Sequence, residues 1–316
     1  MARPKFLSEI FGFPHHNTTA KAKEIRARHW CPFVDKVCYK QSRLIDYPFG
    51  VCTAHANDQE IALCPRRFLD RHTVFTDIAQ HHFKTTSDIL VFSEVGLAAI
   101  GNFDFVMVKH KPMSAEIEDF VAIEFQTGQT TNTGKLVQGL RDFMAGKSIV
   151  YQTYGFGLNF FDIWKRTFTQ VLNKGVIMEN WKKKIYWVVQ EPVYKFFESK
   201  YGLQRLTHKP QHSTVFALYD LIPGKQCFDL RASRKVSASM DDLFDALRHG
   251  QRIPPLEDFL AGLKNKIQAE AQISLHLGRQ SKAPAIDVKP PSASGRVREN
   301  ADDDNGELFG ESAEQP

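Results

Sequence analysis

The sequence predicts a mixed α/β fold, in an α/β or α+β arrangement with a mixed central sheet flanked by helices. Three observations carry that prediction. Helical spacing over 69–84 gives way to period-two alternation in three closely spaced segments. A helical segment follows them, and then a short, continuous apolar run at 184–190 reads as a buried strand. The 316 residues, 42% hydrophobic and 24% charged, suffice for a real core and exclude a fibrous or wholly disordered chain.

Taken in order, Thr19 to Trp30 reads as a short helix with Thr18 or Thr19 as cap. Between Cys31 and Phe68 periodicity is lost, while Cys, Pro, Gly and His accumulate. Leu69, Val74, Ile78, Ala79 and Phe83 then form an apolar helical stripe up to Lys84. Strands are predicted over Ile89 to Leu97, Asn102 to Lys109 and Asp119 to Thr127, with connections short enough for antiparallel neighbours. Helical segments follow at Lys135 to Ala145 and around Asn159 to Trp181, then the apolar strand Lys184 to Gln190. Thr214 to Ile222 reads as a further strand, and Asp241 to Leu247 and Leu256 to Leu277 as helices.

Cys31, Cys38, Cys52 and Cys64 fall within 34 positions, in a stretch with too little apolar surface to fold on itself. Four thiolates suit a tetrahedral structural ion, zinc or iron, that would hold such a segment together. A disulfide framework is the rival reading, and the absence of a secretory signal weighs against it. His29, His55 and His72 lie nearby and are expected at the surface or behind the ligands, and Cys227 as a lone thiol.

On the second predicted strand Asn102, Asp104, Val106 and Val108 share one face, and Phe103, Phe105 and Met107 the other. On the third, Glu124 and Gln126 project together, so Asp104 and Glu124 can meet on adjacent strands. Two close carboxylates repel unless a cation lies between them, and hard oxygen ligands suit Mg²⁺. An ion held there can contact a phosphodiester, which points to hydrolysis. Glu94 on the preceding strand is a further candidate for metal or water. Gln126 has no charge and no basicity, so its task would be to orient the attacking water. Helix, three strands, helix, strand, with the acids so placed, matches the PD-(D/E)XK nuclease core.

The segments His29-Trp30-Cys31-Pro32-Phe33, Cys38, Cys52, Cys64-Pro65-Arg66-Arg67-Phe68, Asn102-Phe103-Asp104-Phe105 and Glu124-Phe125-Gln126-Thr127 together resemble the NotI family of type II restriction endonucleases. The resemblance covers roughly Arg28 to Gln190. It implies a PD-(D/E)XK fold, a four-cysteine structural site holding iron, Mg²⁺-dependent cleavage of duplex DNA, and a homodimer. By that match Cys31, Cys38, Cys52 and Cys64 are the structural ligands, Asp104 and Glu124 bind Mg²⁺, and Gln126 stands where the superfamily carries Lys. Glu94 is matched less surely, and the Pro before Asp104 is replaced by Phe103.

The tail from Pro284 carries a net −5, which leaves 38 Lys and Arg against 28 Asp and Glu in the body, a net +10. That excess favours a phosphate-rich partner, here double-stranded DNA, with Lys135, Arg141, Lys165, Arg166, Lys182, Lys183 and Lys184 as candidate contacts. A two-fold dimer on a palindromic site would bring one active site to each strand. No apolar run can span a membrane, and Met1 to Phe11 lacks a signal-peptide core, so a cytoplasmic address is expected. The expected organisation is an N-terminal helical segment 1–30, a four-Cys metal segment 31–68 inserted before a nuclease domain 69–283, and a disordered acidic tail 284–316. A non-catalytic DNA-binding protein built on the metal site, or a structure-specific repair nuclease, would fit the same residues. The first would bind DNA without nicking it, and the second would follow junctions or lesions.

Overall fold

The computed structural model describes residues 4–98, 100–150, 152–206, 208–250 and 255–268. The chain divides into two compact units, Met1–Gln251 and Arg252–Pro316. In the first, β1 (Phe6–Ile10) pairs with the two-residue β2 (Phe13–Pro14). Then α1 (Ala20–Ala27) begins where the sequence places its cap, with the Thr19 hydroxyl accepting from the Ala22 N–H at 3.3 Å.

Residues 31–68 hold more strand than their pattern predicts. β3 (Trp30–Cys31) pairs with β4 (Lys36–Val37), and β5 (Val51–Ala56) pairs with β6 (Gln59–Ala62). With β1 and β2 these last two complete a four-stranded sheet, ordered β2-β1-β5-β6. All of β1 and most of β5 are buried, so no polar face alternates with an apolar one to announce them.

A 3₁₀ segment, Pro65–His72, leads into α2 (Thr73–His82). The helix starts later than Leu69 because Arg71 and His72 take left-handed conformations, with φ of 51° and 56°. Next come β7 (Ile89–Leu97), β8 (Gly101–His110) and β9 (Ile117–Gln126), antiparallel as predicted. The short β10 (Thr130–Thr131) and β11 (Gly157–Leu158) pair across α3 (Thr133–Met144). α4 (Phe160–Gln170) continues through a π-turn, Val171–Gly175, into α5 (Val176–Asn180). β12 (Lys184–Gln190) and α6 (Glu191–Tyr201) follow, then β13 (Thr214–Pro223), β14 (Phe228–Ala238) and α7 (Met240–Gly250).

The central sheet is mixed, with the order β14-β13-β12-β9-β8-β7. β12 runs parallel to both β9 and β13, and the remaining pairs are antiparallel. Two-sided burial explains the unbroken apolar run of β12, which is covered from Ile185 onward. One face, with Ala122, Ile185, Trp187 and Val189, packs on Ile163 of α4 and Val193 and Phe197 of α6. The other, with Val121, Ile123, Tyr186 and Val188, packs on Val74, Phe75 and Ile78 of α2. Each valine, isoleucine or phenylalanine among them contributes roughly 1.5–3 kcal/mol when fully buried. Gly202 closes α6 at φ 75°, and a Cβ there would lie 2.2 Å from the Gly250 Cα, so α6 and α7 meet only through glycine.

Two polar ties lock the small sheet to the large one. Gln190, at the end of β12, accepts from the Ala62 N–H at 2.6 Å and donates to the Glu60 carbonyl at 2.9 Å. Arg67, fully buried, pairs with Glu9 of β1 at 2.9 Å and with Asp70 at 3.3 Å, and donates to the Phe228 carbonyl of β14. In the second unit the described element is α8 (Leu256–Gln268). The remainder of the helix expected to reach Leu277, and the acidic tail 284–316, lie outside the described residues. Among the described residues no helix is long and apolar enough to cross a membrane.

Candidate active site

The pairing of β8 with β9 stops at Phe105↔Ile123, one residue short of Asp104 and Glu124. Beyond that point the ladder is replaced by side-chain chemistry. The Asp104 Oδ2 accepts from the Phe125 N–H at 2.7 Å, so the carboxylate stands in for a strand carbonyl. On the other flank, β7 pairs Ser93 with Phe105 and Val95 with Phe103, leaving Glu94 opposite Asp104 and outside the ladder, with a left-handed φ of 52° but no shift of register. At this break in the pairing the expected faces of the second strand are corrected. Phe103 joins Val106 and Val108 in the core beneath α4 and α6, whereas Met107 packs on the α2 side and Phe105 lies against that core.

Asp104 and Glu124 do come together. Burial raises the Asp104 pKa, opposed by the Phe125 N–H and by the positive charges of Lys174 and Arg166. Glu124 is 1% exposed, and burial followed by the neighbouring Asp104 charge pushes its pKa up to about 7, with Lys174 pulling the other way. Two acids that each resist ionisation, side by side at a strand end, form a site that gains from a cation. Glu94 is not drawn into the pair. Its side chain is exposed and has no ion-pair partner among the described residues.

The wall facing the acids is the helix α4–α5. Thr167 donates to Gln126 Oε1 at 2.9 Å, and Gln126 Nε2 donates to Gln170 Oε1 at 2.8 Å. One turn on, Lys174 Nζ lies 2.6 Å from Glu124 Oε1. Gln126, 1% exposed, therefore has each end engaged once, which leaves one N–H and one lone pair for water. Arg166 donates to the Thr127 carbonyl at 3.4 Å. The sequence offers Arg166 as a DNA contact and does not single out Thr167, Gln170 or Lys174. Their signal was a polar row at i, i+3 and i+7 along an otherwise apolar helix face.

The other candidate cations are spread out. Lys135 is exposed, and Arg141, also exposed, donates to the Leu44 carbonyl. Lys165 pairs with Asp162 at 3.3 Å, and Lys183 with Asp119 at 2.6 Å. Lys184 sits level with Val121, three residues back from the Glu124 level and roughly 10 Å along the strand.

Cys31, Cys38, Cys52 and Cys64 are free, buried and gathered around one cavity, together with Phe11, Lys40, Phe49 and Arg66. Burial pushes the Cys38 thiol up to about 11 and raises Cys31 and Cys52, with the other cysteines adding to the effect. The donor set suits a thiophilic ion, but the spacing is open. Among the described residues no three His, Cys, Asp or Glu side chains form a group that could hold a metal as they stand. No histidine lines the cavity. His29 stacks on Tyr47, His55 bonds Glu60 at 2.7 Å, and His72 stacks on Phe75. Cys227 stands apart, beside the charges of Arg71 and Asp229.

No curated protein matches the chain. Residues 17–232, about two thirds of it and inclusive of all five cysteines and of Glu94, Asp104 and Glu124, match the family model described as "Restriction endonuclease NotI". The chain belongs to the NotI restriction endonuclease family.

Proposed function

We propose that this chain is a type II restriction endonuclease that cuts duplex DNA at a specific site by Mg²⁺-dependent phosphodiester hydrolysis. The observation that carries this reading is the meeting of Asp104 and Glu124 at the point where β8 parts from β9. The residues fit the ion, since Mg²⁺ is commonly bound by one or two carboxylates together with waters and substrate phosphate. When bound, Mg²⁺ would neutralise charge building on the phosphate and acidify water at the site. Asp104, fixed by the Phe125 N–H, and Glu124, fixed by Lys174, would hold it. Gln126, braced by Thr167 and Gln170, would turn its remaining N–H or lone pair to the attacking water. Glu94, opposite Asp104 on β7, would act from the exposed flank of the site.

The finer features of the proposal rest on the same frame. A PD-(D/E)XK core within 69–283 is supported by the succession α2, β7, β8, β9, α3, β12. A structural iron or zinc ion in the 31–68 segment is supported by four buried thiols around one cavity. Loading it requires those thiols to surrender their protons, against the burial that keeps them neutral. A homodimer on a palindromic site follows from the need to cut two antiparallel strands in one encounter.

The test is to incubate the full chain with plasmid DNA and Mg²⁺ beside its Glu124→Ala variant. Discrete fragments from the wild type and none from the variant are expected, with DNA binding retained in both. A smear would indicate a relaxed or structure-specific nuclease. Intact DNA, or equal cutting by the variant, would end the proposal.

A further inference from the structure

Gln126 brings no charge to the position two residues after Glu124, yet a cation reaches Glu124 from the opposite wall. Lys174 sits in the π-turn between α4 and α5 and is 6% exposed. Its Nζ donates to Glu124 Oε1 at 2.6 Å and to the Asn102 carbonyl at 2.5 Å, and lies 5.5 Å from the Phe103 ring centroid. It thus ties together the ends of β8 and β9 where they separate.

Stability alone does not explain this arrangement. A buried ion pair is often no better for stability than apolar side chains of similar volume, and this one sits beside a second buried acid. π-turns recur at functional sites because they break helical register locally. The two acids are also treated alike. Asp104 is anchored through one oxygen by a backbone N–H, and Glu124 through one oxygen by Lys174.

We propose that Lys174 is a positioning residue for cleavage, holding Glu124 by Oε1 so that the carboxylate faces Asp104 and offers its remaining lone pairs to the divalent ion. The inference rests on the reading of Asp104 and Glu124 as ligands. It assigns Lys174 the task of setting the geometry of that pair, acting through Glu124.

The test compares wild type, K174M and K174Q as full chains by Mn²⁺ binding calorimetry without DNA, thermal melting, and cleavage across Mg²⁺ concentrations. K174M removes a positive charge near the ion, so Mn²⁺ should bind as tightly as before or more tightly. Turnover at saturating Mg²⁺ should nonetheless fall about 100-fold, because Glu124 is no longer aimed. K174Q keeps a hydrogen-bond donor and should recover about tenfold of that loss. A merely structural lysine would move melting and Mn²⁺ affinity down together, and that pattern overturns the proposal. So does wild-type turnover in K174M, or K174Q no better than K174M. Should K174M fail to fold, K174Q decides alone, with wild-type turnover or weakened Mn²⁺ binding counting against the proposal. If the wild type itself neither binds Mn²⁺ nor cuts, the nuclease reading falls and takes this inference with it. If the wild type cuts and K174M matches it, only the role of Lys174 is lost.

Discussion

Replacing Glu124 by Gln should change how stability depends on pH, by an amount the site itself sets. An ordinary Glu titrates at 4.5, and in the folded, metal-free protein Glu124 does so at about 7. Its folded pKa is raised, so the proton it keeps favours the folded state below 4.5. That contribution disappears as pH rises through about 7. At about 1.4 kcal/mol per pH unit, the whole interval corresponds to roughly 3–4 kcal/mol. Urea unfolding at pH 5 and pH 8, without divalent ions, should show wild type losing about 2–3 kcal/mol more than Glu124→Gln over that range. His15, His81 and His82 have lowered pKa values and therefore oppose the trend, losing stability as pH falls. They are common to both proteins and cancel in the difference. Two pH profiles parallel to within about 1 kcal/mol would show that Glu124 is already ionised at pH 5, and the electrostatic account of the site would be wrong.

Three further outcomes follow from other parts of the molecule. Arg67→Met strands Glu9 in a fully buried position and should destabilise the chain by about 3–5 kcal/mol in urea, with Glu9→Gln in the same chain recovering part of the loss. A change below about 1 kcal/mol would mean that water reaches the pair. Cys38→Ser should lower metal content by elemental analysis, and melting temperature, more than it lowers turnover. Freshly prepared wild type with no bound transition metal would refute the structural-ion reading. DNA binding should weaken steeply with salt, with log K against log salt falling by roughly 0.9 per phosphate neutralised, and a flat titration would remove phosphate contact as the main attraction.

What the sequence makes visible is what local pattern can encode. The three antiparallel strands, the buried run of β12 and the convergence of Asp104 with Glu124 all follow from side-chain period. Where burial is two-sided and polar residues sit inside, the period vanishes. β1 hides Ser8 and Glu9, and β5 hides Thr53, so neither strand announces itself. β14 was missed for the opposite reason, because Arg231 to Arg234 are exposed on an edge strand and read as loop. α6 carried a start signal that went unused, Pro192 in its first turn directly after β12. Lys174 is legible only through its polar row with Thr167 and Gln170, because a lone lysine in a helix reads as surface and no local composition marks a π-turn. The sidestep of Phe103 coincides with the break in pairing at Asp104 and Glu94, where Glu94 takes a left-handed conformation that alternation cannot foretell.

The five residues of Val171–Gly175 also act as a phase adjuster for everything beyond them. Add one between Gln170 and Lys174, and the extra helical residue carries the amine by about 100° around the helix axis. Helicity measured by circular dichroism would survive such an insertion, whereas the grip on Glu124 would not. A lesion of a single amino acid, distant from either acid in sequence, would then silence the enzyme while leaving its outward architecture intact.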